Sequence, residues 1–308
     1  MTAKIILNPY AARWKAKERL PEAEVALKSA GINYELVISE YAGHGAELAG
    51  QALRDGFDPI IAAGGDSTYN EIVNGLIQAA GKNEITTTFG ILPMGTANDL
   101  ADNLSVPKDL NKAAQLIAGG FTLPLDVCQV NDRYFVNNSG IGLETTVTVI
   151  QMGMKRVHGI FRYLLATMVA IFRNPQWTMD IEWDGGSYHG PCTMVSVGNN
   201  PRTGGVFYTV PNASPFDGQL SFVHAAVLKR GEILRTLPAI MKSGEDNYTQ
   251  HPNVHEIHCT WLKIHTEPPT PVHSDGEVFD FAIQDIEWRV HPGRLQILLD
   301  KSIHGQEL

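Results

Sequence analysis

Residues 59–74 read PIIAAGGDSTYNEIVN. The apolar run from Ile60 to Ala63, bounded by Pro59 and Gly64, predicts a buried parallel strand. A helical pattern with Ile72, Val73, Leu76 and Ile77 on one face predicts a helix from about Tyr69 to Ala80. Gly64 and Gly65 stand between the two. A strand that feeds a helix through two glycines presents bare backbone N–H groups at a helix N-terminus, where an anion can approach with no β-carbon in the way. Asp66 puts a carboxylate at the same spot. Beside phosphates, that makes sense with a divalent cation between them, which points to nucleotide phosphate plus Mg²⁺. The same residues also suit an ordinary tight strand-to-helix turn.

Outward from this stretch, strands alternate with helices. Ile5 to Leu7 is a strand stopped by Asn8-Pro9, and Ala16 to Ala30 is helical through Leu20, Val25 and Leu27, closed by Gly31. Tyr34 to Ile38 is a strand, Ala46 to Leu53 a helix, and Thr87 to Leu92 a strand followed by PMGTAND over 93–99. Asp109 caps a helix through Ile117 that Gly119-Gly120 ends. The alternation predicts an α/β domain with a parallel sheet covered on both faces. Ligands of such sheets sit outside the carboxyl ends of the strands. The polar turns at Asn8, at Gly64 to Thr68 and at Gly95 to Asp99 all fall at carboxyl ends.

After Leu123-Pro124 the texture changes. Tyr134–Asn138, Thr178–Trp183, Thr193–Val197, Leu220–Val223, Ile257–Ile264, Asp285–Val290 and Leu295–Leu299 are short strand candidates, and Asp184-Gly185-Gly186 is a hairpin signal. Helical patterns interrupt at Glu144–Met152, Gly159–Phe172 and Arg230–Met241, and Pro268 to Pro271 reads as a stiff loop. A mostly antiparallel β-sandwich domain over 125–292 is the expectation, with an N-terminal α/β domain over 1–124. The 308 residues suit two domains.

The 24 Lys and Arg against 33 Asp and Glu leave a net charge of −9, which argues against a nucleic-acid partner. Cys128, Cys192 and Cys259 form no CxxC pair and read as buried small hydrophobes in a reducing compartment. No signal peptide is visible, and the most apolar stretch, Tyr163 to Phe172, falls short of a membrane span. A cytoplasmic protein is expected. Lys155, Arg156, His158, Arg162 and Arg173 flank that stretch, which fits either an anionic leaflet or, as the preferred reading, a packed helix with a charged outer face. The histidines have no paired ligand spacing.

Taken in order, these motifs resemble the diacylglycerol-kinase-like lipid kinases over nearly the whole chain. Asn8-Pro9 is similar to the family's first nucleotide turn, Gly64-Gly65-Asp66-Ser67-Thr68 to its Gly-Gly-Asp-Gly-Thr signature, and Gly95-Thr96-Ala97-Asn98-Asp99 to its Gly-Thr-x-Asn-Asp turn. Gly198-Asn199-Asn200, Gly204-Gly205, Pro211-Asn212-Ala213 and Asp217-Gly218 resemble its long loop, and Ser274-Asp275-Gly276-Glu277 its Asp-Gly-Glu. The resemblance implies a three-layer, phosphofructokinase-like N-terminal domain that binds ATP, with residues 293–308 returning to it. It implies a C-terminal sandwich that supplies the lipid pocket and the base, and transfer of the γ-phosphoryl group to a lipid hydroxyl, most readily diacylglycerol or a related glycerolipid. A membrane-surface lipid substrate, peripheral membrane association and a homodimer go with it. An NAD kinase-like enzyme and a non-catalytic lipid or nucleotide sensor are the rival readings.

By the resemblance, Asn8, Ser39, Gly64, Gly65, Asp66, Ser67, Thr68, Glu71, Thr96 and Asn98 bind ATP. Thr68 and Thr96 could equally cap helices, Asn8 and Asn98 could close their turns, and Thr68-x-x-Glu71 has capping-box spacing. Asp217, with the carbonyls of Ser214 and Gln219, would hold a structural Mg²⁺, unless Asp217-Gly218 is a plain turn. Asp66 and Asp99 would join an Mg²⁺–water network. Asp275 would be the general base and Glu277 its helper, against a plain Asp-Gly hairpin turn. Two departures stand out. Ser67 replaces the family's glycine, at a cost of roughly 1 kcal/mol where that residue takes positive φ. The first turn lacks its glycine, with Ala12 near that place.

Overall fold

The computed structural model describes residues 2–154, 159–173, 175–226 and 228–305. The chain divides into two compact units, Met1–Val127 with His291–Leu308, and Cys128–Val290.

In the first unit the order is β1 (Ala3–Leu7), α1 (Lys15–Glu18), α2 (Leu20–Ser29), β2 (Tyr34–Ile38), α3 (His44–Arg54), β3 (Ile60–Gly64), α4 (Asp66–Ala80), β4 (Thr88–Pro93), α5 (Asp99–Asn103) and α6 (Leu110–Gly119). The strands run β4-β3-β1-β2, all parallel. β3 is buried at every position, as a continuous apolar run in the middle of a parallel sheet must be. Helix α3 packs against α4, and α2 against α6. The Asp109 side chain caps α6 by accepting from Lys112 N at 2.9 Å, and Gly120 ends it at φ 66°.

Two expectations shift here. The helical pattern over 16–30 is broken at Arg19 into α1 and α2. Val25, expected on its apolar face, is exposed, and Ala23, Ala26 and Leu27 are buried instead. Helix α4 begins at Asp66 rather than near Tyr69. Asp66, Ser67 and Thr68 are its first turn, where amides without intrahelical acceptors tolerate polar residues.

The chain continues through β5 (Thr122–Val130), β6 (Arg133–Phe135), β7 (Asn138–Gly142), α7 (Leu143–Gly153), α8 (Gly159–Arg173), β8 (Trp177–Trp183), β9 (Gly186–Gly198), β10 (Leu220–Ala226), α9 (Arg230–Thr236), β11 (Val254–Cys259), β12 (Trp261–Ser274), β13 (Glu277–Leu298) and α10 (Lys301–His304). Pairing in the second unit is antiparallel. β9 pairs first with β8 and then with β7 and β10, and β12 pairs with β8 and then with β7. The core enclosed by these strands includes Phe135, Trp177, Phe222 and Trp288. A second apolar cluster joins α7, α8 and α9 to Val223, Ala225 and Tyr248.

Several sequence expectations need correction in this unit. Residues 257–264 do not form one strand, because β11 ends at Cys259 and β12 begins at Trp261. Pro268 to Pro271 lie inside β12 rather than in a loop. The β12–β13 register shifts between His265 and Thr270, so the prolines fall where no ladder bond to β13 is required. Segments 285–290 and 295–299 belong to the one strand β13, apart from Leu299. Helix α9 stops at Thr236, five residues short of Met241. The outer side of α8 is largely apolar rather than charged, with Arg173 exposed at its end. Phe161, Leu164, Leu165 and Phe172 are exposed on it, while Ala166, Ala170 and Ile171 are buried. Lys155, Arg156 and His158 lie outside the described residues. All three cysteines are free and buried, and burial pushes the Cys192 and Cys259 thiols up to about 12. Among the described residues, no helix is long and apolar enough to cross a membrane.

Candidate active site

In the first unit, three turns close on one another at the carboxyl ends of adjacent strands. After β1, Asn8 Nδ2 donates to Thr68 Oγ1 at 3.0 Å, and Asn8 Oδ1 accepts from Tyr10 N at 3.0 Å. After β3, the α4 N-terminus opens at Gly65, with Thr68 N and Tyr69 N both donating to Gly65 O. After β4, Met94 N donates to Gly64 O at 2.7 Å, which ties the third turn to the second. The last two turns also approach each other glycine to glycine: a β-carbon on Gly65 would lie 3.0 Å from Gly95 Cα. A β-carbon on Gly64 would lie 2.3 Å from Thr68 Oγ1, so this glycine makes room for Thr68 to fold back. Ser39 is buried at the end of β2, its N–H donating to Leu7 O at 2.9 Å.

Asn98 takes the left-handed conformation, φ 54°, that asparagine tolerates. Its Oδ1 accepts from Gly95 N at 2.9 Å and from Tyr69 Oη at 3.2 Å, and its Nδ2 donates to Gly95 O at 3.1 Å. Its side chain therefore closes the turn. Asp66 Oδ1 accepts from Leu100 N at 3.0 Å, so its carboxylate meets the start of α5. Burial raises the Asp66 pKa, against the opposing pull of backbone amides at Leu100, Asp99 and Asn98. Asp99 is buried beside it. Ser67 and Thr96 are exposed.

Three sequence expectations are revised by this geometry. Ser67 lies within the first turn of α4 and not at positive φ, so the serine carries no left-handed strain. Thr68 is inside the helix rather than at its cap, so Thr68 and Glu71 form no capping box. Glu71 instead accepts from Gly43 N at 3.0 Å and Gly45 N at 3.2 Å, holding the N-terminus of α3. Ala12, near the missing glycine, does sit at φ 50°, followed by Arg13 and Trp14 at 58° and 74°. Tyr69 is the residue that sequence reasoning missed. Its hydroxyl also donates to Gly64 O at 2.9 Å and so joins both glycine turns, yet in the sequence it is one more apolar-face residue.

In the second unit, Asp275 and Gly276 have φ 44° and 81° and connect β12 to β13 with a two-residue turn. Asp275 is more than a turn residue. Its carboxylate accepts from Asn137 N and Asn138 N at 3.0 Å and from Val136 N at 3.1 Å, and Asp275 N donates to Asn138 O at 2.7 Å. Glu277, the first residue of β13, is exposed. Beside this hairpin, buried Glu144 receives hydrogen bonds from Asn138 Nδ2 at 3.3 Å and from Ser196 Oγ, and lies 3.4 Å from His273 Nε2. Glu144 also lines a cavity of about 60 Å³ and is its only charged wall residue among the described residues, alongside Leu143, Val147, Met194, Ile233 and Tyr248. Sequence reasoning did not single out Glu144, since a lone acid at a helix start usually faces solvent.

Asp217 is exposed, and its Oδ1 accepts from Gln219 N at 2.9 Å in an Asx turn. Ser214 Oγ accepts from Phe216 N at 3.4 Å in the same loop. Among the described residues, no group of three or more His, Cys, Asp or Glu gathers as a metal cluster. One carboxylate with turn carbonyls is nonetheless a donor set that suits Mg²⁺, which keeps most of its water.

Glycine turns thus converge at the carboxyl ends of a parallel sheet, around a helix N-terminus, in an α/β unit followed by an antiparallel β-rich unit. The family described as "Diacylglycerol kinase catalytic domain" matches residues 2–130, and that described as "YegS C-terminal NAD kinase beta sandwich-like domain" matches residues 138–299. Proteins named diacylglycerol kinase from Staphylococcus aureus strains bovine RF122 / ET3-1 and MRSA252 are each 27% identical over 276 residues, covering 89% of this chain and 85% of theirs. The crystal structure of a diacylglycerol kinase from Bacillus anthracis str. Sterne has the same fold, with a TM-score of 0.76, 23% identity and 98% of each chain covered. The chain belongs to the diacylglycerol-kinase-like lipid kinase family and is a kinase.

Proposed function

We propose that the chain transfers the γ-phosphoryl group of ATP, with Mg²⁺, to the hydroxyl of diacylglycerol or a related glycerolipid. The observation that carries the nucleotide half is the apposition of Gly65 and Gly95 at the N-terminus of α4, whose cap residue is a glycine with no side-chain cap hydrogen bond. Leu143, Val147, Met194, Ile233 and Tyr248 around Glu144 give the second unit an apolar surface that suits a lipid acceptor. The curated relatives named diacylglycerol kinase favour a glycerolipid.

In this reading Gly64, Gly65, Ser67 and Thr68 receive the phosphates, with Thr96 and Asn98 from the next turn and Asn8 and Ser39 from the neighbouring strands. Glu71 contributes by fixing α3. Asp275 accepts the proton of the lipid hydroxyl as its oxygen attacks phosphorus, and Glu277 orients that carboxylate. Mg²⁺, when bound, neutralises phosphate charge. Asp66 and Asp99 would hold its water shell, and Asp217 with the Ser214 and Gln219 carbonyls would hold a structural ion. We read the first unit as three-layered in the phosphofructokinase manner, and the enzyme as a cytoplasmic homodimer that visits the membrane surface.

The test is purified protein with labelled ATP and a panel of lipid acceptors and NAD in mixed micelles, with and without a chelator. Label on diacylglycerol or a related glycerolipid, lost on chelation, is expected. Label on NAD alone, or on nothing, overturns the proposal. Ser67 carries no backbone strain, so its replacement of the family's glycine lends no weight to the rival reading of a non-catalytic sensor.

A further inference from the structure

We infer that the outer face of α8 is a docking surface for an anionic phospholipid leaflet; this rests on the acceptor being a lipid. Phe161, Leu164, Leu165 and Phe172 are 65%, 39%, 38% and 64% exposed. At about 100° per residue these four fall within about 100° of the helix circumference, and Ala166 and Ala170 on the opposite side are buried. Met152, near the end of α7, is 57% exposed and adds to the apolar surface beside it. Large apolar side chains that recur on the solvent side of one helix mark an interaction site, whereas isolated ones do not.

Charge selects the occupant. The chain is acidic overall, yet residues 145–179 contain no Asp or Glu, and α8 carries Arg162 and Arg173. Arg162 and Arg173 lie on the same flank of the exposed stripe, about 100° to 120° round from its centre. Arg173, at the end of α8, is exposed and free to meet a lipid phosphate. An apolar stripe with cations at its flank and no acids is the pattern of a helix lying in the interfacial plane of an anionic membrane. The buried side of the same helix contributes Thr167 to the cavity that holds Glu144. A helix seated in the leaflet would therefore bring that cavity to the lipid.

The test is partition of the full chain onto phosphatidylcholine vesicles with and without phosphatidylglycerol, comparing the wild type with a Phe161→Ser, Leu165→Ser, Phe172→Ser variant. Wild type is expected to bind the phosphatidylglycerol vesicles, and the variant to bind about tenfold or more weakly with an unchanged thermal melt. Equal binding of the two proteins, or equal binding to both vesicle types, overturns the inference. So does a variant that changes only its oligomeric state, which would assign the face to a second copy of the chain. A water-soluble short-chain diacylglycerol, assayed without vesicles, reads the kinase activity separately. If wild type fails to phosphorylate it but partitions through this face, the kinase reading falls and the docking surface stands.

Discussion

Gly95 stands so close to Gly65 that a β-carbon on Gly95 would lie 2.4 Å from the Gly65 Cα and 2.6 Å from Asn98 Oδ1. The first is backbone, and the second is a side-chain oxygen held in place by the hydrogen bonds of the Asn98 amide. Gly95→Ala must therefore push two turns apart and break the Asn98 bonds that close the second. We expect nucleotide affinity to fall by about tenfold or more, with a loss of about 1–3 kcal/mol in stability. Titration calorimetry with an ATP analogue and a thermal melt check both.

Asp66→Asn separates charge from shape. Asn Oδ1 can still accept from Leu100 N, while the charge is gone. Burial raises the Asp66 pKa, so the native state holds this proton more tightly than the unfolded chain. Stability from this group is present at low pH and is lost as pH rises from the ordinary value of 3.8 through the raised one. The variant should lose kinase activity yet melt at or above the wild-type temperature at neutral pH. An active variant would remove Asp66 from the mechanism.

Ala12→Gly should stabilise the first unit. Ala12 holds φ 50°, a conformation that costs an L residue roughly 1 kcal/mol and glycine almost nothing. Glycine also loosens the unfolded chain, which offsets part of the gain. A modest rise in denaturation midpoint, with nucleotide affinity kept or improved, is the expected outcome. A fall in both would mean that the surroundings relieve the strain.

Asp275→Asn tests the base and the anchor together. Three backbone N–H groups converge on the carboxylate, and an amide turned toward them can accept with only one of its two terminal atoms. Turnover should fall by about 10²- to 10⁴-fold, the range for general-base loss. The melt should also drop. Loss of stability with turnover retained within a few-fold would leave Asp275 as an anchor and make Glu277 the next base to test.

His224 should set a limit on acid stability. It is 4% exposed, its Nδ1 has no hydrogen-bond partner among the described residues, and burial, then His255, lowers its pKa from 6.5 to about 4. The unfolded chain binds this proton first, so stability falls as pH drops from 6.5 towards 4, by on the order of 3 kcal/mol at the low end. In His224→Leu that slope should flatten when melts are followed across the same range. An unchanged slope would place the acid-labile group elsewhere.

The strands of the first unit were legible, though not their order in the sheet, because parallel strands buried on both faces leave continuous apolar runs and glycine punctuates their ends. Asp66, Ser67 and Thr68 misled because polar residues before a helical pattern look like a loop until the amides of a first turn are counted. In the second unit β7 was invisible as Asn138-Ser139-Gly140-Ile141-Gly142: nothing in that composition favours extended chain, and β9 and β12 on either side impose it. The site motifs were legible as short strings. Which side chain reaches which amide was not, so Glu71 on α3 and Tyr69 on Asn98 had to wait for the tertiary contacts.

Residues 296–297 of β13 pair with β4, and Leu295, Ile297, Leu298 and Leu299 are buried in the first unit. During synthesis, then, the unit that starts first finishes last. The ribosome delivers all of Cys128–Val290 while β4 still lacks its outer neighbour, and a bare edge strand invites pairing with another nascent chain. Cutting the gene after Val127 would reproduce that unfinished state permanently. A usable fragment of the nucleotide-side unit has to carry its C-terminal segment with it, joined by a short linker in place of the inserted domain.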